Sequence, residues 1–469
     1  MNYLQNLALK LVEELDDLKD FEEVVEKVAS EVAVALARGI CEAIDDKLAE
    51  ERDKDLRMVG FRTKTVVAKF GLLKLRRRLY REGNGKYRYL LDETLGLEGA
   101  FSPSLEKASL ILSSEVSFRK AAQVISLLLP KEVTVSHGKL HALIREVGKM
   151  KEEQEKEKRA SLFEEGLFPK SAGKKVERLF IEADGVGIAL QKEAERRGEV
   201  KLAISYEGWE EKGKNQKSLR EKQVQAAFEE GESFWQKFYA SLFEKYDLLR
   251  VKDFVLGGDG ASWIKKAKDT FPNLTFELSK FHILKSLKWA FGSDEERIEK
   301  AYKAALTGSV EALEDILLKA EKKKKGKARK RIRLVKAYLL GNKEALSDWR
   351  MRLVPKDDER GLGAIEGNID KVLANRFKKR GMRWSKNGAN AMAKVISLRE
   401  NKELSSFLSK KREKPKLLKT QEVVEKVRGE IKKDPEAWLK VRLPAFSGPH
   451  SSRPWVKALR ELTRIEVAC

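Results

Sequence analysis

Cysteine is nearly missing from this chain: among 469 residues only Cys41 and Cys469 carry a thiol. Two cysteines cannot build a disulfide framework, and these two lack the paired spacing of a structural zinc site, so a reducing, cytoplasmic setting is expected. Long apolar runs are missing as well. No stretch approaches the ~20 uninterrupted apolar residues that a bilayer span requires. The opening Met1-Asn2-Tyr3-Leu4 has neither the basic start nor the apolar centre of a secretion signal. These absences exclude the secreted and membrane-spanning classes and predict a soluble protein without a membrane partner.

Positive charge is abundant instead. Lysine and arginine number 97 against 74 aspartates and glutamates, a formal net charge of +23. A surface this basic favours a polyanion, and nucleic acid heads that class. The length exceeds what one hydrophobic core usually serves, so several domains are expected.

The pattern along the chain supplies boundaries. In residues 1–58, apolar positions Leu11, Leu15, Phe21, Val24, Val28 and Val32 recur at helical spacing and predict a helical hairpin or pair. Residues 59–100 switch to period two around Gly71, with Leu73, Leu75 and Leu79 alternating against basic residues, which predicts a small β-hairpin. Lys64, Lys69, Lys74, Arg76, Arg77, Arg78 and Arg81 either track a phosphate backbone or form a solvated face. Residues 101–150 read as a helix-turn-helix. Ser117 is placed to cap a first helix, Pro130 breaks the chain, and Ser136 is placed to cap a second. His137 and Lys139 in that second helix, with His141 behind them, are the expected DNA contacts. His137 and His141 also have metal-ligand spacing, but no third ligand lies near them in sequence and a metal is not expected there. Residues 151–175 read as a charged helix and linker ending in Pro169, Ser171 and Gly173.

From 176 to 290 the chain turns β-rich. Strands are expected at Arg178 to Ala183, Val186 to Gln191 and Glu199 to Tyr206, then a helix from Ser233 to Tyr246. A strand from Asp253 to Leu256, a helix from Ala261 to about Thr270 and a strand from Leu274 to Leu278 follow. This β-β-β-α-β-α-β order is that of an RNase H-like α/β domain. Asp184-Gly185 and Asp259-Gly260 fall at the ends of its first and fourth strands. Asp-Gly alone is common turn chemistry. Two such pairs at matching positions of one fold, in a basic chain, point to shared metal ligands. Residues 291–360 form a basic helical insertion in which Lys323, Lys324, Arg329 and Arg331 are expected to grip DNA. Residues 361–400 return to the core with Glu366 as third acidic ligand and Asp370, one helical turn on, as its alternative; Arg376 and Lys379 continue along the bound nucleic acid. Residues 401–469 are expected to form a helical tail.

The motifs Asp184-Gly185-Val186-Gly187, Gly258-Asp259-Gly260-Ala261-Ser262-Trp263-Ile264, Lys280-Phe281-His282-Ile283-Leu284-Lys285, Ile365-Glu366-Gly367-Asn368 and Arg380-Gly381-Met382-Arg383-Trp384-Ser385 resemble bacterial insertion-sequence DDE transposases of the ISLre type, more distantly Mutator-like transposases. Leu90 to Leu97 and Leu443 to Gly448 extend the resemblance over most of the chain. It implies a catalytic and metal-binding triad of Asp184, Asp259 and Glu366 holding two Mg²⁺ ions, with Mn²⁺ as substitute. His282 would touch a phosphate or the scissile strand. Trp263 and Trp384 are candidates to stack on a flipped base or, alternatively, core aromatics. The implied activity is Mg²⁺-dependent cutting of transposon terminal inverted repeats and joining of the freed ends to double-stranded target DNA, in a homodimer or larger synaptic complex. A non-catalytic DNA-binding regulator descended from such an enzyme, and a structure-selective nuclease on the same fold, are the alternatives.

Overall fold

The computed structural model describes residues 21–97, 99–131, 133–168, 173–213, 216–356 and 359–411. The described residues divide into two compact units, one made of those up to His141 with Leu404–Lys411 and the other of those from Ala142 to Glu403. Among the described residues no helix is long and apolar enough to cross a membrane.

In the first unit, helix α1 (Phe21–Glu51) is one continuous 31-residue helix. It accounts for the second part of the expected helical hairpin or pair; the first part, with Leu11 and Leu15, lies outside the described residues. Strands β1 (Arg57–Ala68) and β2 (Gly71–Arg81) form the antiparallel hairpin, closed where Ala68 faces Gly71. Strand β3 (Tyr87–Arg88) extends it. Alternation along β2 buries Leu73, Leu75 and Leu79, and the hairpin shares a core with Cys41, Ile44 and Leu48 of α1. The basic residues of the hairpin divide into two groups. Arg77 pairs with Asp92 at 2.7 Å, Lys64 with the same carboxylate at 3.2 Å, and Arg78 with Asp45 at 2.8 Å and Asp46 at 2.7 Å. Of the residues expected to track phosphates, Lys69, Lys74, Arg76 and Arg81 keep exposed positions, so part of that track is internal ion pairing.

Helix α2 (Leu90–Leu95) is followed by α3 (Pro103–Glu115), α4 (Phe118–Leu127) and α5 (His137–Phe163). Ser117 Oγ accepts from Lys120 N and Ser136 Oγ from Lys139 N, both at 3.3 Å, so each serine caps the helix it precedes. Helix α5 is 27 residues long. The charged run 149–159 belongs to it, and the boundary between the units falls inside it, between His141 and Ala142, ahead of the expected linker at 151–175.

A mixed sheet organises the second unit. Its central strand β4 (Arg178–Leu190) pairs antiparallel with β5 (Arg197–Tyr206), which pairs antiparallel with β8 (Gln223–Ala227) beyond a small hairpin of β6 (Trp209–Gly213) and β7 (Gln216–Leu219). On its other side β4 runs parallel to β9 (Asp253–Gly258), and β9 parallel to β10 (Leu274–Leu278). The order is therefore β10-β9-β4-β5-β8. The two strands expected at 178–183 and 186–191 are one. Asp184-Gly185 is no turn: Leu202 and Lys201 face these residues on β5 and keep the backbone extended through them.

Odd positions of β4 (Leu179, Ile181, Ala183) face a core built with Phe234, Trp235 and Phe238 of α6 (Gly231–Phe243). Trp263, on the short helix α7 (Ser262–Lys265), stacks on Trp235 at 5.8 Å in that core. Helices α8 (Lys280–Phe291), α9 (Glu295–Leu306), α10 (Val310–Lys323) and α11 (Gly326–Leu340) fill residues 280–340. Helix α12 (Ile365–Asn368) continues through a π-helical stretch, Ile369–Ala374, to Asn375–Phe377. The short strand β11 (Arg383–Trp384), which pairs with the end of β4, precedes α13 (Lys386–Glu400), and α14 (Leu404–Lys411) follows in the first unit.

Helix α13 closes the sheet's open edge. Its side chains, with Asn401 after it, take the outward N–H groups of β8 and of the residue that follows it: Val224 N donates to Asn401 Oδ1 at 2.7 Å, Ala226 N to Ser397 Oγ at 2.8 Å and Phe228 N to Asn390 Oδ1 at 3.0 Å. Beneath it Lys394, fully buried, bridges Glu155 of α5 at 2.6 Å and Glu229 at 3.2 Å, and Lys237 also pairs with Glu229. A Cβ on Gly148 would collide with the backbone of Ala391, so α5 and α13 touch there without side chains between them. Lys394→Met leaves two buried carboxylates short of a cation, and the expected cost is about 3–5 kcal/mol of unfolding free energy, read by denaturant titration. A loss below about 1 kcal/mol would mean that the network does not anchor α5.

Candidate metal centre

The parallel pairing of β4 with β9 sets Ala183 opposite Gly258. One residue further along each strand are Asp184, still inside β4, and Asp259, just past the end of β9. Asp184 Oδ1 accepts from Gly185 N at 2.7 Å and Asp259 Oδ1 from Ala261 N at 2.9 Å, which orients both carboxylates. Gly260 (φ +82°) makes the turn after Asp259 in a conformation that suits glycine. Ser279 N donates to Gly258 O at 2.7 Å, so β10 hands over to α8 beside the same strand end and brings His282 in from its first turn. Ligand atoms of Asp184, Asp259 and His282 all lie within 4.8 Å of one another.

Burial raises the Asp184 carboxyl above its ordinary range. The neighbouring Asp259 and Glu366 charges push it further up, and the Gly185 N–H and His282 pull it down. Like charges packed this closely, with a buried His282 Nδ1 that has no hydrogen-bond partner, fit a divalent cation. The carboxylates suit Mg²⁺ or Mn²⁺, and the imidazole nitrogen favours Mn²⁺ over Mg²⁺.

Glu366 reaches the centre from a different direction. It lies on α12, where its Oε1 accepts from Ser279 Oγ at 2.7 Å, and its charge acts on Asp184. It is not one of the three groups whose ligand atoms converge. What fixes its helix is Glu182, two residues before Asp184 and so on the same face of β4. The Glu182 carboxylate accepts from the N–H groups of Gly363 (3.0 Å), Ala364 (3.0 Å) and Ile365 (3.2 Å) and from the Tyr206 hydroxyl (2.6 Å). Burial raises the Glu182 carboxyl, and these four donors oppose the shift. A recess of about 240 Å³ beside it is lined by Glu182, Glu277, Lys280, Phe281 and Glu366 among others. There burial pushes Glu277 up to about 7.

The remaining candidates are placed less uniformly. Asp370 is exposed on the π-helical stretch and is not one of the three converging ligands. Arg376, expected to follow DNA, is buried: its guanidinium lies over the Trp384 ring at 4.8 Å and donates to Met382 Sδ at 3.3 Å. Trp263 and Trp384 are buried core aromatics. Lys323, Lys324, Arg329, Arg331 and Lys379 are exposed, as are His137 and Lys139. Two residues near the centre escaped the sequence. Glu182 was legible only as a second carboxylate two positions before Asp184. Glu199 carried no sequence signal: its carboxylate fills the space over Gly185, which has no Cβ to exclude it. Burial raises its carboxyl, Lys201 lowers it, and Asp259 and Asp184 raise it.

A family model matches residues 11–409, and its description is an uncharacterised protein family, UPF0236. The chain belongs to UPF0236. One relative, UPF0236 protein TTE2489 of Caldanaerobacter subterraneus subsp. tengcongensis, is 27% identical over 427 residues, 85% of this chain and 84% of its own length. A second from the same organism is 27% identical over 419 residues, 85% of this chain and 83% of its own, and its name joins the designations TTE0033, TTE0744, TTE0838 and eight more. A third, a UPF0236 protein in the vanSb 3′ region of Streptococcus gallolyticus, is 26% identical over 406 residues, 84% of this chain and 85% of its own. In this UPF0236 chain, Glu182→Ala would strand three backbone donors. The expected cost is on the order of 3 kcal/mol, with faster amide exchange confined to a peptide spanning 361–370. Unchanged exchange there would show that Glu182 does not hold α12.

Proposed function

We propose that this UPF0236 protein is a DDE transposase that cuts the ends of a mobile DNA element and joins them to target DNA. The observation that carries the proposal is the convergence of Asp184, Asp259 and His282, with Glu366 beside them. The sheet order β10-β9-β4-β5-β8, antiparallel on one side of β4 and parallel on the other, supports an RNase H-like core. The net charge of +23 supports a DNA substrate. A relative whose single name joins many designations in one genome supports an element that copies itself to new sites.

Asp184 and Asp259, with His282 and Glu366, would hold divalent cations, here Mg²⁺ or Mn²⁺. Bound there, the cations would supply Lewis-acid stabilisation of the phosphate and a water of lowered pKa. The chain's own contribution is positional. In-register strands fix the two aspartates, Ser279 and Glu182 fix Glu366, and the exposed Lys323, Lys324, Arg329 and Arg331 offer charge to the DNA backbone. Water would attack the phosphodiester at the element's end, releasing a 3′-hydroxyl. That hydroxyl would then displace a 3′-oxygen in the target, so one phosphodiester forms as another breaks and no covalent protein intermediate is needed. Two ends must be held together, which implies a dimer or larger synaptic complex.

Cleavage and strand transfer on the DNA flanking this gene, assayed separately with Mg²⁺ and Mn²⁺, test the proposal. Asp259→Ala and Glu366→Gln are each expected to lower both steps by at least about a hundredfold while DNA binding persists. Full cleavage by Asp259→Ala would refute the proposal, and cleavage without strand transfer would make the protein a nuclease.

A further inference from the structure

Helix α8 carries an exposed stripe that the metal centre does not use. Its inner face buries Ile283, Leu287 and Ala290, yet Phe281 is 50% exposed and Trp289 48%. Lys285 and Lys288 are exposed between them. At 3.6 residues per turn these four positions fall within an arc of about 100°, and a 1.5 Å rise sets the two rings about 12 Å apart along the axis. The Lys285 ammonium lies 5.6 Å from the Phe281 ring centroid. The Phe281 ring meets His282 edge-on at 5.3 Å and lines the recess that reaches Glu366. The stripe thus begins at the metal centre and leads away from it.

Scattered exposed aromatics are ordinary on protein surfaces. Here two of them flank two lysines on one face that starts at a candidate catalytic histidine. An apolar protein partner would desolvate both ammonium groups without compensation. A paired duplex offers only phosphates, because its base faces are already stacked. A strand with unpaired bases satisfies both features, with π-faces for the rings and phosphates for the lysines. Trp263 and Trp384 are core aromatics, whereas Trp289 is open.

We propose that the Phe281–Trp289 face of α8 seats a single DNA strand, whose unpaired bases stack on Phe281 and Trp289 while Lys285 and Lys288 neutralise its phosphates. The inference rests on the proposed function only in taking the strand to be DNA that passes the metal centre.

The test uses the full chain in EDTA, so that no cleavage is involved, and compares binding of a labelled twelve-nucleotide single strand with a blunt duplex of the same sequence. Phe281→Leu and Trp289→Leu keep an apolar side chain but lose the aromatic face. Each is expected to weaken single-strand binding by about tenfold and duplex binding by less than about twofold, with unchanged melting temperature. Lys285→Ala with Lys288→Ala is expected to flatten the salt dependence of single-strand binding by one to two ions. Wild-type binding of the single strand by both leucine variants, an equal loss on strand and duplex, or no measurable single-strand binding by the wild type would overturn the proposal. The same preparations assayed with Mn²⁺ separate the two claims, since absent cleavage counts against the transposase proposal and leaves the binding comparison intact.

Discussion

Two carboxylates side by side in a partly buried crevice repel each other, and the parallel pairing of β4 with β9 forces Asp184 and Asp259 into that arrangement. The strands are locked by backbone hydrogen bonds in one register, Ala183 opposite Gly258, and by a core of Leu179, Ile181, Phe254 and Leu256 beneath them. A slip of one residue would turn each side chain to the opposite face of its strand, burying Asp184 in that core and exposing leucines. The hydrophobic side of the sheet therefore holds the acidic side in place. Burial first, and then the charges of Asp259 and Glu366, raise the Asp184 carboxyl, and a cation at this position would offset both.

The second constraint is the Glu182 carboxylate. The segment carrying Glu366 follows Glu182 by more than 180 residues, with helices α6 to α11 between them. Such a separation has a loop-closure cost that rises only slowly with length, so a few strong local contacts suffice to return the chain. The N–H groups of Gly363, Ala364 and Ile365 supply them by converging on one buried carboxylate. Ser279 then fixes Glu366 itself from the end of β10. Strand β4 thus carries a metal-ligand candidate at Asp184 and, two residues earlier on the same face, the group that positions a further one.

Much of this was legible in the sequence. Period-two alternation located the hairpin about Gly71, the strand Leu274–Leu278 was placed at its observed bounds, and the apolar run into Asp259 located β9 within two residues. The failures have physical causes. Asp184-Gly185 carries turn chemistry, but pairing with β5 overrides local propensity and keeps it extended. Arg376 and Arg77 look like surface cations in sequence because charge says nothing of direction; Trp384 and Asp92, the groups that receive them, lie elsewhere along the chain. His282 could be placed near the second aspartate by resemblance alone, and only the hand-over from β10 to α8 sets it against both aspartates. Glu182 and Glu199 act through contacts distant in sequence, which no local pattern encodes.

Direct observation of a cation tests the central claim. Manganese binding, followed by electron paramagnetic resonance on the wild-type chain and on Asp184→Asn, Asp259→Asn and His282→Ala, requires no DNA and no turnover. Saturable binding by the wild type is expected, with affinity lost in either asparagine variant and about tenfold weaker in His282→Ala. A wild-type chain that binds no manganese saturably, or asparagine variants that bind as tightly as the wild type, would contradict the assignment of Asp184 and Asp259 as the ligands of a metal centre.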